Sequence, residues 1–406
     1  MSSTASFLPC SSGFGDIVWY VKALEFQRKE IRYAAAAVSS RVRAGSGAST
    51  GPLSLIERDP LPKPTEAWQR VSTRLAGICG SDLATVDGKS ASYFEPWVSF
   101  PFILGHEAVG TDENGQRVVL EPVLGHEARG FKPPHPGAAP ADGNDYRHLL
   151  SGDIAAGIQT GGCCSTGGSW SSEFLAHQSQ LHPVDQDLSD EAAVMIEPAA
   201  GGVHAALRAQ ISEDSTVVVM GSGTMGLVTV AAVATLHPTS TIIVGAKYPE
   251  QQRLATELGA TVVVKPAELT RAVRRTTGSF MIGDDLSGGA DVVIDAVGSS
   301  STINQAIGIC RPRGRVVLLG MPGSVKVDMT ALWHRETELV GAYTYGTEEI
   351  GGSTTTSYAL AFDLVKSADL GRLVSATYPL EDYTEAITHA ANAGPRGAVK
   401  ICFDLR

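Results

Sequence analysis

The sequence predicts an α/β chain of two domains, in which a β-rich domain precedes a doubly wound parallel sheet. Three observations support this fold class. The chain has 406 residues, and at roughly 100–200 residues per domain this length is enough for two domains. Short apolar runs broken by Pro and Gly occupy residues 32–188. From Ser189 to about Gly346, apolar strands alternate with helical stretches, which is the pattern of a parallel sheet covered by helices.

Composition excludes several classes of protein. The 32 Lys and Arg against 43 Asp and Glu give a net charge of −11, so no basic excess is available to bind nucleic acid. No apolar run approaches the roughly 18–20 residues that span a bilayer, so we expect no membrane segment. Six scattered cysteines are too few for a secreted disulfide framework and indicate a cytoplasmic protein.

The β-rich part is irregular. Residues 1–30 show no assignable period and are interpreted as an extension, so Ile31–Val42 is the first stretch that could form a strand. Further strands are predicted at Val71–Leu75, Gln116–Leu120 and Glu173–His177. Between them, Phe131–Asp145 contains four prolines and several small residues, which predicts a long surface lobe without regular structure.

The second part has clearer periodicity. Ser189-Asp190-Glu191 predicts a helix start. Six strands are expected, at Thr216–Met220, Thr241–Val244, Val262–Val264, Asp291–Asp295, Arg315–Leu319 and Leu339–Tyr343. After Gly346 we expect helices near 355–367 and 384–392 and a short strand at Val399–Phe403. The predicted divisions are an extension at 1–30, a β-rich part at 31–196, a doubly wound domain at 197–346 and a C-terminal part at 347–406.

A glycine-rich turn directly follows the first of these six strands. Thr216–Met220 leads into Gly221-Ser222-Gly223-Thr224-Met225-Gly226 and then into an apolar helix. In this context Gly221 permits the turn, Gly223 lets the backbone approach a pyrophosphate, and Gly226 allows close packing of helix on strand. The first helical residues, Thr224 and Met225, present backbone amides to the phosphates. The alternative is an ordinary glycine turn.

The end of the second strand indicates which nicotinamide nucleotide is bound. An NAD site places an acidic residue there to accept a hydrogen bond from the ribose 2′-hydroxyl. Here the strand ends Val244-Gly245-Ala246-Lys247, without Asp or Glu. Lys247 and Arg253 could neutralise a 2′-phosphate, so the sequence favours NADP(H) over NAD(H). The alternative is that both are solvated surface charges.

Four residues could form a zinc site if folding brings them together. Cys79, His106, Glu107 and Glu197 offer sulfur, nitrogen and oxygen donors, which zinc accepts at a tetrahedral site with one open position. Their spacing alone is weak support. Taken separately, Cys79 could be a lone buried cysteine and His106 a core histidine whose hydrogen bonds are satisfied.

Several of these segments together resemble one family. Residues 77–82 (Gly-Ile-Cys-Gly-Ser-Asp), residues 105–107 (Gly-His-Glu), Glu197-Pro198, the glycine turn and residues 292–298 resemble the zinc-dependent medium-chain alcohol dehydrogenases. The polyol, threonine and glucose dehydrogenase branch is most similar, and the resemblance covers roughly residues 31–406. It implies a GroES-like catalytic domain formed by residues 31–196 with the returning C-terminal part 347–406, and a Rossmann NADP-binding domain at 197–346. The active site is expected in the cleft between the two domains.

The resemblance also implies roles for individual residues. Cys79 and His106 correspond to zinc ligands, Glu107 to the adjacent carboxylate that binds or releases the metal, and Glu197 to the group at the fourth position. Ser81 corresponds to the hydroxyl that takes the substrate proton. The implied activity is zinc-dependent hydride transfer between NADP(H) and a small alcohol or carbonyl substrate, in a homodimer or homotetramer.

The sequence departs from the family in three places. It has no cysteine between Cys79 and Cys163, so we expect one catalytic zinc per chain and no structural zinc. A site built from His126, His135 and His148 is the alternative. A second Gly-His-Glu at 125–127 could compete with His106, although the Pro-Phe-Ile-Leu approach to the first copy favours His106. The histidine that often ends the proton relay in this family is absent, and Ala84 and Thr85 stand nearby instead. The sequence therefore does not assign the route of the proton beyond Ser81.

Aromatic residues near these motifs have two interpretations. Trp170 and the segment Tyr93–Trp97 could each line a substrate pocket or pack in a core, and large aromatic walls would suggest a bulky or apolar substrate.

Two rival functions also remain. One is a metal-free reductase of an activated C=C or C=N bond, and the other is a nucleotide-binding protein without catalysis. Both predict loss of the zinc ligands, which are present.

Overall fold

The structure is a computed structural model that describes residues 20–406. In this part of the chain no helix combines the length and the apolar character needed to cross a bilayer. The five cysteines within the described range are all free thiols.

The first part of the described chain consists mainly of strands. These are β1 (Val21–Phe26), β2 (Leu53–Arg58), β3 (Trp68–Gly77), β4 (Phe102–Ile103), β5 (Ala108–Asp112), β6 (Arg117–Leu120), β7 (Glu173–His177) and β8 (Leu181–Pro183). Its helices are α1 (Glu30–Ser39), α2 (Gly47–Thr50) and α3 (Gly80–Val86).

Helices and strands alternate in the second part. The helices are α4 (Asp190–Ala193), α5 (Ile196–Arg208), α6 (Thr224–Leu236), α7 (Pro249–Glu257), α8 (Leu269–Thr277), α9 (Ser300–Ile309) and α10 (Met329–His334). The strands are β9 (Thr216–Met220), β10 (Thr241–Gly245), β11 (Val262–Val264), β12 (Met281–Ile282), β13 (Asp285–Leu286), β14 (Ala290–Asp295), β15 (Cys310–Leu318) and β16 (Glu338–Gly341).

The C-terminal part adds a hairpin, two helices and two further strands. These are β17 (Thr347–Ile350), β18 (Ser353–Thr356), α11 (Ser357–Ser367), β19 (Val374–Tyr378), α12 (Tyr383–Ala391) and β20 (Lys400–Asp404).

Six strands form a parallel sheet in the order β11-β10-β9-β14-β15-β16. The central strand β9 has the sequence Thr-Val-Val-Val-Met and is buried, as expected for a strand covered by helices on both faces. This order is that of a dinucleotide-binding Rossmann sheet, and it reverses beside β9. The predicted doubly wound domain and its six strands are therefore confirmed.

The β-rich part forms two sheets. One contains seven strands in the order β19-β20-β3-β5-β6-β8, with β7 also paired to β3, and the other has the order β2-β1-β4. Strand β20 runs antiparallel to β3, with Cys402 opposite Gly77. The end of the described chain therefore completes the sheet that begins near its start, as the family resemblance implies.

Two predictions for the N-terminal region are wrong. Val21–Phe26, placed in the extension at 1–30, is a strand that pairs with both β2 and β4, while residues 1–19 lie outside the described range. Glu30–Ser39, which overlaps the expected strand at Ile31–Val42, is helical. Its four consecutive alanines explain the helix, because alanine has the highest intrinsic helix propensity.

The predicted lobe at Phe131–Asp145 has no helix or strand, and a buried arginine holds its base together. Arg129 is 1% exposed, and its guanidinium donates hydrogen bonds to the carbonyl oxygens of Leu124, Ser151, Ala155 and Gly157. Burial lowers the pKa of Arg129 to about 10, so the group remains a cation at neutral pH. One side chain thus joins both ends of the segment from Leu124 to Gly157.

Candidate active site

Folding brings three of the predicted ligands together. Cys79 directly precedes α3, and His106 and Glu107 lie between β4 and β5. One donor atom from each of the three side chains lies within 4.8 Å of the others. Among residues 20–406 this is the one group of three or more such side chains that could hold a metal ion.

Asp82 connects two of these residues. Its Oδ2 accepts a hydrogen bond from the backbone N–H of Cys79 at 3.0 Å, and its Oδ1 lies 3.3 Å from His106 Nδ1. A carboxylate at Nδ1 orients the imidazole and leaves Nε2 available for a metal. Burial by itself lowers the pKa of His106, but the negative charges of Asp82 and Cys79 outweigh burial and raise that pKa well above its usual value. The site therefore attracts positive charge.

Lys400 is a further member of the site that sequence reasoning missed. It opens β20, is 1% exposed, and forms an ion pair with Glu107 Oε2. Burial lowers the pKa of Lys400, but the charges of Glu107 and Cys79 more than offset burial and raise it above the usual value. A lone lysine within the apolar segment Ala398–Phe403 was the available signal, because such a charge must be paired when it is buried.

Glu197 lies close to the ligand group without belonging to it. It is on the first turn of α5, and Tyr345 donates a hydrogen bond from its hydroxyl to Glu197 Oε1 at 3.2 Å. Burial raises the pKa of Glu197 to about 7; His106 and Lys400 oppose this rise and Glu107 adds to it. Glu197 is therefore a half-buried carboxylate that a nearby cation would ionise.

The residues present fit a zinc ion. With Zn–S near 2.3 Å and Zn–N near 2.0 Å, tetrahedral donors lie roughly 3.5 Å apart, somewhat closer than the 4.8 Å limit of this group. Glu107 Oε2 is buried and has no hydrogen bond of acceptable geometry, although it contacts the lysine ammonium. A thiol, an oriented imidazole and an unsatisfied carboxylate oxygen together form the donor set that zinc prefers.

Ser81 is half-buried on the first turn of α3, two residues after Cys79. Within residues 20–406 its hydroxyl makes no hydrogen bond, so it is available to a substrate. Thr85, one turn later, donates to the carbonyl oxygen of Ser81 at 3.0 Å, and its hydroxyl lies 2.9 Å from that of Ser90. This pair of hydroxyls occupies the region where the family's relay histidine is missing.

The glycine turn forms a cradle at the carboxyl end of β9. Gly221 has φ +92°, a left-handed conformation that glycine adopts without strain. A Cβ on Gly226 would lie 2.1 Å from the carbonyl oxygen of Gly221, which shows how closely α6 approaches the turn. A Cβ on Gly223 would meet nothing within 4 Å. This open position lies at the start of α6, beside Thr224 and Met225, where helix N-terminal amides can meet an anion.

The two predicted cations at the 2′-position differ in their surroundings. Lys247 is exposed just beyond β10, with its Nζ 5.3 Å from the centre of the Tyr248 ring. No ion pair involves Lys247 among the residues that the structure describes. Arg253, by contrast, forms ion pairs with Glu250 and Glu257 on its own helix. Its charge is thus largely compensated within α7, and this geometry favours Lys247 as the group for a phosphate.

Several candidates lie away from the ligand group. His126 stacks on His148 with ring centres 3.8 Å apart, and His135 Nε2 lies 3.6 Å from Asp142 Oδ2. Burial lowers the pKa of His148 to about 4, with His126 adding to the effect. Trp170 is fully buried and donates from Nε1 to the carbonyl oxygen of Gly77 at 3.1 Å, so it packs in the core behind the site.

Two family models match the chain. A model described as alcohol dehydrogenase GroES-like domain matches residues 65–186, and one described as zinc-binding dehydrogenase matches residues 209–358. Among curated proteins, L-idonate 5-dehydrogenase of Vitis vinifera is 26% identical over 357 residues, covering 83% of this chain and 87% of that protein. Sorbitol dehydrogenase of Bacillus subtilis is 27% identical, covering 82% of this chain and 90% of that protein.

Solved structures share the fold. The 2R,3R-butanediol dehydrogenase of Bacillus subtilis has a TM-score of 0.68 at 21% identity, covering 95% of this chain and 100% of its own. A Sinorhizobium meliloti protein solved with bound NADP has a TM-score of 0.68 at 23% identity, covering 95% and 99%. With both domains matched and dehydrogenases throughout its relatives, the chain belongs to the zinc-dependent medium-chain alcohol dehydrogenases, in the polyol dehydrogenase branch, and is an oxidoreductase.

Proposed function

We propose that this oxidoreductase binds one zinc ion at Cys79, His106 and Glu107 and exchanges a hydride between NADP(H) and an alcohol or carbonyl substrate. The assembly of these three side chains within 4.8 Å is the observation that carries the proposal. The metal-free and non-catalytic alternatives are not favoured, because neither function requires this set of zinc ligands.

Each residue has a distinct task in this proposal. When bound, zinc acts as a Lewis acid on the substrate oxygen, and NADP(H) supplies or accepts the hydride. Asp82 fixes the orientation of His106 through Nδ1. Lys400 holds Glu107 by an ion pair and competes with the metal for that carboxylate. Glu197 places a second carboxylate beside the donors and stabilises the added positive charge.

Ser81 handles the substrate proton. Its hydroxyl is free to accept a proton from a bound alcohol at Oγ, or to donate one to a carbonyl oxygen. The Thr85 and Ser90 hydroxyls, 2.9 Å apart, lie one turn further along and supply the next pair of proton-carrying groups. A water molecule between Ser81 and Thr85 would complete the connection, since hydroxyl groups both donate and accept.

The cofactor preference follows from the strand end at β10. A charge-assisted contact contributes about 1.5–3 kcal/mol, and about 1.4 kcal/mol is tenfold in affinity, so one contact from Lys247 implies a roughly ten- to hundredfold preference for NADP(H). Lys247→Ala is expected to remove most of this preference, measured as the ratio of kcat/KM with NADPH and NADH. Arg253→Ala is expected to change it little, because Glu250 and Glu257 already engage that guanidinium.

Gly245→Asp is expected to invert the preference by repelling the 2′-phosphate. A Cβ at this position would lie 3.4 Å from Leu269 Cδ2, an ordinary contact, so the added β-carbon does not clash. Lys366→Ala, which removes an exposed lysine paired with Asp185, serves as the control. Equal use of NADH and NADPH by the wild type, or an unchanged ratio in Lys247→Ala, would refute the assignment.

The metal content is expected to be one zinc per chain. The test is metal analysis of the purified protein, combined with NADPH oxidation over a panel of aldehydes and ketones. A His126→Asn/His148→Asn variant is expected to keep the same zinc content. Two equivalents that fall to one in this variant would reveal a second, histidine-based site, and turnover without zinc would reject the mechanism.

The remaining expectations concern assembly and location. We propose a homodimer or homotetramer, on the ground that such assemblies are usual in this family. The cytoplasmic location is likewise proposed, and the five free thiols within the described range support it.

A further inference from the structure

An aromatic surface adjoins the candidate active site. Tyr93 and Trp97 lie on a short 3-10 helix, Ser92–Trp97, and Tyr146 lies at the far end of the lobe that Arg129 holds. The ring of Trp97 is 5.6 Å from that of Tyr93 and 5.1 Å from that of Tyr146, measured between centres. Trp97 thus contacts both tyrosine rings and joins them into one continuous surface.

Backbone and hydroxyl contacts tie this surface to the catalytic residues. Ser90, two residues before the 3-10 helix, meets Thr85 of α3, the helix that carries Ser81. On the lobe side, Ile158 donates a backbone hydrogen bond to the carbonyl oxygen of Trp97 at 3.0 Å. The aromatic surface is therefore fixed both to α3 and to the lobe.

A fourth ring, that of Tyr343, approaches from the Rossmann side. It follows β16, and the next residue, Thr344, has φ +55°. One residue further, Tyr345 donates to Glu197, which anchors the segment beside the ligand group. Tyr343 is therefore held two residues from a side chain that is anchored beside the ligand group.

Three of the four rings are exposed although they are clustered, and Trp97 between them is half-buried. Tyr93 is 63% exposed, Tyr146 57% and Tyr343 56%. Contiguous exposed aromatic surface beside reactive groups typically serves a ligand.

Resting on the proposed function, we propose that Tyr93, Trp97, Tyr146 and Tyr343 form the substrate wall of this enzyme. The substrates it favours carry an aromatic ring, or a flat apolar group of similar size, next to the carbinol or carbonyl carbon. In the reducing direction the carbonyl carbon gains a hydride from NADPH and the oxygen gains a proton, which yields the alcohol and NADP⁺.

The chemistry of the wall disfavours the alternative substrate, a polyhydroxylated chain. The four rings contribute only three phenolic hydroxyls, whereas every hydroxyl of an open-chain polyol loses water on entering the cleft and needs a new partner. An aromatic substrate loses little hydration and stacks on the rings. The zinc site would act on either substrate class, and the aromatic wall makes the enzyme prefer the aromatic one.

The test compares both classes with the zinc-loaded wild-type enzyme and NADPH. We expect kcat/KM to be at least tenfold higher for acetophenone and benzaldehyde than for D-fructose and D-xylulose. Trp97→Ala and Tyr343→Ala are expected to raise KM for the aromatic carbonyls about tenfold or more, and to change KM for acetaldehyde, which has no ring to stack, by much less. Tyr343→Phe keeps the ring and is expected to retain the preference.

Trp333→Ala is the matched control, because it removes a tryptophan that is 78% exposed on α10. Equal or higher kcat/KM with the ketoses, or a loss of activity in Trp97→Ala that is the same for every carbonyl, would overturn the inference. If no carbonyl is reduced with either cofactor, the proposed function fails. Saturable quenching of tryptophan fluorescence by acetophenone then still decides the inference, since it should occur in the wild type and in Trp333→Ala and be lost in Trp97→Phe, which keeps only collisional quenching.

Discussion

Cys79→Ala is expected to abolish turnover and to lower the zinc content from one per chain to a small fraction of that value. The thiolate is the one sulfur donor of the ligand group, and without it His106 and Glu107 would have to hold the metal while Lys400 competes for Glu107. NADPH binding is expected to stay within about twofold of wild type, because the glycine turn and Lys247 lie on the Rossmann side and make no contact with Cys79. Metal analysis, steady-state NADPH oxidation and a nucleotide titration measure the three quantities.

Cys164→Ala is the matched control for this variant. Cys164 is a half-buried thiol outside the ligand group, and its replacement should leave zinc content and activity unchanged. A Cys79→Ala protein that keeps full activity would remove Cys79 from the mechanism. Loss of zinc and of nucleotide binding together would instead indicate general unfolding, which circular dichroism distinguishes.

Arg129→Met is expected to lower the free energy of unfolding by about 3 kcal/mol or more. The guanidinium satisfies four carbonyl oxygens, and a buried acceptor left without a donor costs about 1–3 kcal/mol. Partial entry of water reduces the sum. Urea unfolding measures the loss, and limited proteolysis should show first cleavage within the segment from Leu124 to Gly157.

Arg147→Met tests whether this effect is specific to Arg129. Arg147 lies in the same lobe, but its side chain is exposed and paired with Asp145. Its replacement should leave the unfolding midpoint unchanged. Equal midpoints for Arg129→Met and wild type would show that the lobe holds its shape without the buried cation.

The parts of the site that depend on local sequence could be predicted. The glycine turn follows a fixed local order of strand, turn and helix. The family motifs identify Cys79, His106 and Glu107 directly. The structure places His106, not His126, beside Cys79, in agreement with the preference for the first Gly-His-Glu copy. Short-range patterns succeed here because each residue's role depends on neighbours within a few positions.

The parts that depend on distant partners could not be predicted. Lys400 meets Glu107 only because β20 pairs with β3, and no local pattern encodes that pairing. In the sequence Arg129 cannot be distinguished from a surface arginine, because three of its four carbonyl acceptors lie more than 20 residues away. Trp170 and Tyr93–Trp97 were equally good pocket candidates in the sequence, and only the packing separates a core tryptophan from an exposed aromatic surface.

The return of β20 to the first sheet also determines the order in which the molecule can be assembled during synthesis. Lys400 and its acceptor at Ile78 are 322 residues apart, and at roughly 5–20 residues per second the ribosome needs about 15 to 65 seconds to make the chain between them. The strands β9 to β16, in contrast, are complete as soon as Gly341 has been made. The nucleotide-binding domain can therefore fold before the catalytic domain that precedes it, and Glu107 has no lysine partner until β20 has been made.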